Sequence, residues 1–179
     1  LLTMAWPALA GFVNGGFENG NYTGWTVTHW KNPGTIPTFP PLLQSNLGLT
    51  ADSTNTWNTN ADYGVVITDV VGPGTDSKIS GGVSYPQYGN YAARINYNGN
   101  QNRATSIDQT ATMLISDVDP SDGKVHIRFS IAPVLENPNH TANQQPYFFI
   151  EVTNITKGRQ LFTTFNFSDR RPDSSRGWN

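Results

Sequence analysis

Nucleophilic hydrolysis needs a serine, threonine or cysteine beside a base, and the chain supplies no cysteine and three histidines, His29, His126 and His140. His126 falls inside the alternating run "KVHIRFSI", on its polar side, and His29 sits beside Trp30 in "THWKNPG". His140 is the best placed for catalysis, in "ENPNHTANQQP" with Glu136 four residues earlier. No G-x-S-x-G elbow and no H-E-x-x-H pair is present, so neither hydrolase template is met. A lone loop histidine is ordinarily a solvated one. Glycoside hydrolysis would need two carboxyl groups facing each other across a groove. The glutamates are Glu18, Glu136 and Glu151, and nothing in the sequence pairs Glu151 with a second acid.

Two other groups of residues carry chemistry. In "DVDPSDG", Asp117, Asp119 and Asp122 offer hard oxygens, but the spacing is one residue off an EF-hand loop and Arg128 stands where the closing glutamate belongs. Asp-Pro and Asp-Gly beside a strand read as turn chemistry. The aromatics Trp30, Trp57, Tyr85, Tyr88 and Tyr91 lie in or beside loop-like segments rich in Asn, Gln and Thr. That mixture suits sugars, because a flat ring covers the apolar face of a pyranose while amides and hydroxyls bond its OH groups. These five are the candidate ligand contacts, weighed against the ordinary alternative that such rings cover a core.

The elements that must position them are strands. Charged residues make up 13% of the chain, against about 25% in an average domain. Polarity comes instead from 19 Asn and 20 Thr, set among 17 Gly and 12 Pro. Thr favours pleated surfaces and Asn, Gly and Pro favour turns, which points to many short strands rather than to a helical protein. A length of 179 residues fits one domain. The net charge of -2 offers no field for phosphates, so no nucleic-acid partner is expected.

Period-two alternation marks the strands. It places Val125, Ile127, Phe129 and Ile131 on one face of residues 124–131, and Ile107, Gln109, Ala111 and Met113 on one face of 104–113. "PYFFIEVTNIT", "KGR" and "QLFTTFNF" read as a hairpin. "YGVVITDVV" (63–71) and "NYAARINY" (90–97) are further strands, and the segment from Asn32 to Asn60 reads as a long loop excursion of the kind that often carries function. Strands at intervals of about ten to twenty residues have the rhythm of a sandwich or barrel.

"LLTMAWPALA" closes on Ala8-Leu9-Ala10 before Gly11, the small-x-small ending of a signal-peptide remnant, and is too short to cross a bilayer. No membrane span is expected in the chain. A secreted protein without cysteine fits a bacterial exoprotein better than a small eukaryotic extracellular domain.

"NGGFENGNYTGW" resembles the start of the galactose-binding-like β-sandwich modules of bacterial exoproteins, which include several carbohydrate-binding families. The matching positions are Asn14, Gly15, Phe17, Glu18, Gly20, Gly24 and Trp25. The resemblance implies that Phe17 and Trp25 are packing residues and that Glu18, with Asn14, helps hold a structural calcium. Modules of this kind close with a strand paired to the first, so the resemblance implies either that the fold closes earlier here or that the final strands lie beyond Asn179. A second stretch, "LENPNHTANQQPYFFIEV", resembles secreted bacterial β-sandwich proteins of the cell surface.

The expectation is therefore an all-β protein, a single antiparallel, jelly-roll-like β-sandwich over residues 11–179, secreted or surface-attached and without catalysis of its own. Its expected partner is a glycan or polysaccharide. The alternatives are a structural surface or matrix protein with no defined ligand, and a hydrolase built around His140 or Glu151.

Overall fold

The computed structural model describes residues 11–52, 67–76, 78, 81–97 and 102–168. In chain order the strands are β1 (Thr26–Lys31), β2 (Thr50–Ala51), β3 (Ile67–Val71), β4 (Gly74–Asp76), β5 (Val83–Tyr85), β6 (Ala92–Tyr97), β7 (Arg103–Asp108), β8 (Val118–Asp119), β9 (Lys124–Val125), β10 (Tyr147–Asn154) and β11 (Arg159–Phe167). Three short 3-10 turns accompany them and there is no α-helix among the described residues. No described helix is long and apolar enough to cross a membrane.

All ladders among the described residues are antiparallel, so the all-β expectation holds. Among the described residues the sheets are small and unclosed: one of three strands, in the order β2-β1-β7, and the pairs β3-β6, β4-β5, β8-β9 and β10-β11. Burial follows that scale. Among the described hydrophobic residues only Ile36 and Leu47 are fully buried.

Both lie in the excursion after β1, whose described part packs against the β10-β11 hairpin. Register puts Tyr147 opposite Phe167 and Phe149 opposite Phe165, so these four rings share one face. Phe39 meets Phe167 and Phe165 edge-on, with centroids 5.2 and 5.6 Å away. Polar contacts fasten the same loop: Gln44 N–H donates to Glu151 Oε2 at 3.3 Å, and Gln160 Nε2 to the Leu42 carbonyl at 3.1 Å. The described part of the expected functional excursion, residues 32–52, is thus the cover of a hairpin, and residues 53–60 lie outside the described residues.

The hairpin itself is where alternation placed it, with a bulge between Val152 and Thr153. Two other expected strands are shorter than their patterns. Only Lys124 and Val125 of the run 124–131 join a ladder, and Ile127, Phe129 and Ile131 are 39%, 51% and 51% exposed. Alternation says which face a strand would bury, whereas a strand also needs a neighbour for its N–H and C=O groups. The run 104–113 is a strand only to Asp108. The next residue, Gln109, replaces the ladder with its side chain: Oε1 accepts Val13 N–H at 2.7 Å, and Nε2 donates to the carbonyls of Val13 and Gly24 at 2.8 and 2.7 Å. β3 and β6 pair as their patterns imply, with residues 63–66 outside the described residues.

Candidate functional site

The opening stretch folds as a run of turns that delivers the chain into β1. Asn14 organises it. Its Oδ1 accepts Asn19 N–H at 3.0 Å, its Nδ2 donates to the Asn21 carbonyl at 2.8 Å, and its own carbonyl accepts Trp25 Nε1 at 3.0 Å. Asn14 and Phe17 both sit at positive φ, 51° and 61°, a left-handed conformation that asparagine tolerates well and phenylalanine poorly. Ring packing holds Phe17 there: it stacks on Trp25 at 5.1 Å and 27°, and meets Tyr22 edge-on at 5.9 Å. Phe17 and Trp25 are half-buried packing residues. Tyr22 ties the turn to the next sheet by donating to the Asp69 carbonyl at 2.8 Å, and Asp69 is held by Arg94 through two bonds of 3.0 and 2.8 Å.

Glu18, exposed at the tip of this turn, reaches the loop between β5 and β6. Asn90 donates its backbone N–H to both carboxylate oxygens and its Nδ2 to Oε2, each at 3.0 Å. The Asn90 backbone bond holds the Glu18 carboxyl below its ordinary value, with the Asn90 side chain and the Tyr91 N–H adding to it. Gly89 is required beside it. A Cβ there would lie 2.0 Å from Glu18 Oε1, and its φ of +73° belongs to the left-handed region.

The clasp sets out two tyrosines. Tyr91 lies against Gly20, where a Cβ would stand 3.4 Å from the ring, and is 37% exposed. Tyr88 projects with 74% of its surface in solvent. Glu18, Asn14, Tyr88 and Tyr91, named separately in the sequence, therefore belong to one pair of joined loops.

The other named aromatics do not join them. Tyr85 is on β5, paired with Gly74, and its ring covers that glycine. Trp30 sits in β1 rather than in a loop, opposite Ala51 and Ala104, and its Nε1 donates to Ser106 Oγ at 2.9 Å. The small alanines leave room for the indole, which is half-buried on the sheet. Trp57 lies outside the described residues.

A second polar cluster was invisible to spacing arguments. Asp52, with a side chain 1% exposed, is paired with Arg103, 19% exposed. Asp52 N–H also donates to the His29 carbonyl at 2.9 Å, continuing the β1-β2 ladder. His29 is buried, its Nδ1 lies 3.2 Å from Thr105 Oγ1, and burial pushes its imidazole below the ordinary value while Asp52 opposes that. Asp52 stands beside a two-residue strand and Arg103 opens another, so neither carries a motif.

The residues behind the hydrolase alternative stand apart. His140 Nδ1 lies 3.4 Å from the Gln144 carbonyl. Glu151 accepts Gln44 N–H and the Thr153 hydroxyl. Their partners are backbone groups and a hydroxyl, the usual fastening of loop and strand residues. Compared with known proteins, the chain matches no family model, no curated protein and no solved structure.

Proposed function

We propose that this protein is a non-catalytic carbohydrate-binding or adhesive module of a secreted or surface-attached bacterial protein, its small antiparallel sheets belonging to a jelly-roll-like sandwich. The observation that carries the reading is Tyr88: a ring 74% exposed, on a loop fixed by the Glu18–Asn90 clasp and next to the half-exposed Tyr91. Single exposed apolar residues are common. A pair of tyrosines on a pinned loop is better suited to stacking on a sugar ring, because ordering the loop beforehand lowers the entropy lost on binding. Asn90, beside Tyr91 in the same loop, adds an amide whose carbonyl oxygen suits a sugar hydroxyl.

A glycan array tests this. Binding to at least one glycan class is expected, and Tyr88→Ala should abolish it. A folded sample that binds no glycan would favour instead the structural surface protein, for which the exposed apolar residues Phe129, Ile131 and Phe162 would be contacts.

The reading extends to a structural calcium at Glu18 and Asn14, as the sequence resemblance implies. An ion there must share oxygens with N–H groups, since Asn90 occupies both oxygens of Glu18 and Asn19 occupies Asn14 Oδ1. With calcium bound, EDTA lowers the Tm. An unchanged melt leaves the Asn90 clasp as the whole role of Glu18.

A further inference from the structure

The β8-β9 hairpin lies outside the two loops of the proposed glycan site, and its tip gathers three ligating side chains. One ligand atom each from Asp119, Asp122 and His126 lies within 4.8 Å of the other two. The hairpin is tight: the Asp119 carbonyl accepts Gly123 N–H at 2.8 Å, which brings the two strands together. Because the ladder stops at Val125, His126 is not held in a strand register, and its Nε2 reaches Asp122 Oδ2 at 3.0 Å.

Each carboxylate is oriented through one oxygen. Asp119 Oδ1 accepts both the N–H and the hydroxyl of Ser121, at 2.8 and 2.6 Å, and Asp122 Oδ1 accepts Lys124 N–H at 3.0 Å. The second oxygen of each is left for another partner, and for Asp122 that oxygen is the one beside His126. The chemistry of this donor set is mixed, one imidazole nitrogen with two carboxylate oxygens. An EF-hand set is oxygen only and spans a twelve-residue loop, and an imidazole is a poor ligand for calcium or magnesium but a good one for first-row transition ions.

We propose that the hairpin tip binds a divalent first-row transition ion of the zinc type, through His126 Nε2 and one carboxylate oxygen each from Asp119 and Asp122. Bonds to such an ion are about 2.0–2.2 Å long, so its ligand atoms stand about 3–4 Å apart. The 4.8 Å spread closes to that range by rotation of side chains that are free to move, His126 being 44% and Asp122 37% exposed. Water completes the shell. The ion replaces a surface His–Asp pair, which alone contributes little, with a three-point link between the strands of the hairpin.

Titration of zinc chloride into the full chain by calorimetry at neutral pH tests the site. One ion per chain with a micromolar Kd is expected. His126→Ala and Asp119→Asn should each weaken it by at least about tenfold, since loss of a direct ligand exceeds the effect of an outer partner. His140→Ala, which removes the other exposed histidine, should leave the Kd unchanged. Cobalt(II) in place of zinc should show visible absorption in the wild type that His126→Ala loses. The proposal is overturned by absence of saturable binding up to about 1 mM zinc, by a His126→Ala protein that binds as the wild type does, or by calcium binding as tightly as zinc. Circular dichroism of each variant confirms that the fold is kept, which the exposure of His126 leads us to expect.

Discussion

Two carboxylates of this protein are held in opposite ways. Glu18 stands in solvent and is gripped by N–H groups of Asn90, whereas the Asp52 side chain is 1% exposed and faces the guanidinium of Arg103. The first grip joins two loops and aims tyrosines outward. The second joins the residue after β2 to the start of β7, next to the buried His29. A buried charge without its partner is expensive, while an exposed one is rehydrated. The comparison therefore separates a region that holds the fold from the exposed region in which the proposed ligand would sit.

The sharpest way to break it is at Asp52. Asp52→Ala removes the buried carboxylate that faces Arg103 and should destabilise the protein by about 3–5 kcal/mol, nearer the lower figure because Arg103 is 19% exposed and partly rehydrates. Urea unfolding measures it, and a loss below about 1 kcal/mol would put the pair on the same footing as a surface salt bridge.

Next in size is Gly89→Ala. It imposes a left-handed cost of roughly 1–2 kcal/mol on a non-glycine residue, and its Cβ enters the place of Glu18 Oε1. Glycan binding should fall with it, since the clasp must open. Retained binding would show that the clasp does not position Tyr88.

Acid separates the two regions by pH. Burial lowers the folded imidazole of His29 below its ordinary 6.5, so the unfolded chain takes up a proton first. Stability is complete above about pH 6.5 and declines as pH falls from there until the folded imidazole also protonates. Glu18 is lowered from 4.5, so its contribution is present above that value and is lost only below it. Unfolding free energy measured across this range should show a slope starting near pH 6.5 that His29→Gln removes and Glu18→Gln does not. A slope that survives His29→Gln assigns the acid sensitivity elsewhere.

The smallest expected effect on stability is Tyr88→Ala, within about 0.5 kcal/mol for a side chain so exposed. A larger loss would make Tyr88 a packing residue and move it to the other side of the comparison.

What the sequence reveals of all this depends on distance along the chain. The β10-β11 hairpin is legible because its two alternating runs and its turn are adjacent and pair with each other. Residues 124–131 alternate as clearly, but alternation cannot name a partner, and past Val125 no ladder forms. The end of β7 at Asp108 depends on the side chain of Gln109 bonding Val13 and Gly24, residues more than eighty positions away. In the same way Glu18 and Tyr88 were each visible as a residue type, while the Asn90 bond that unites them spans 72 residues. Asp52 carried no pattern at all. Its role comes from where the strand beside it docks.

The most direct test of the central claim is retention of the wild type and of the Tyr88→Ala/Tyr91→Ala protein on a panel of immobilised polysaccharides, with melting curves recorded alongside. The account predicts that the wild type is retarded by at least one polysaccharide, and that the double variant elutes unretarded with nearly the same Tm. Equal retardation of the two proteins, or no retardation of a folded wild type, would contradict it.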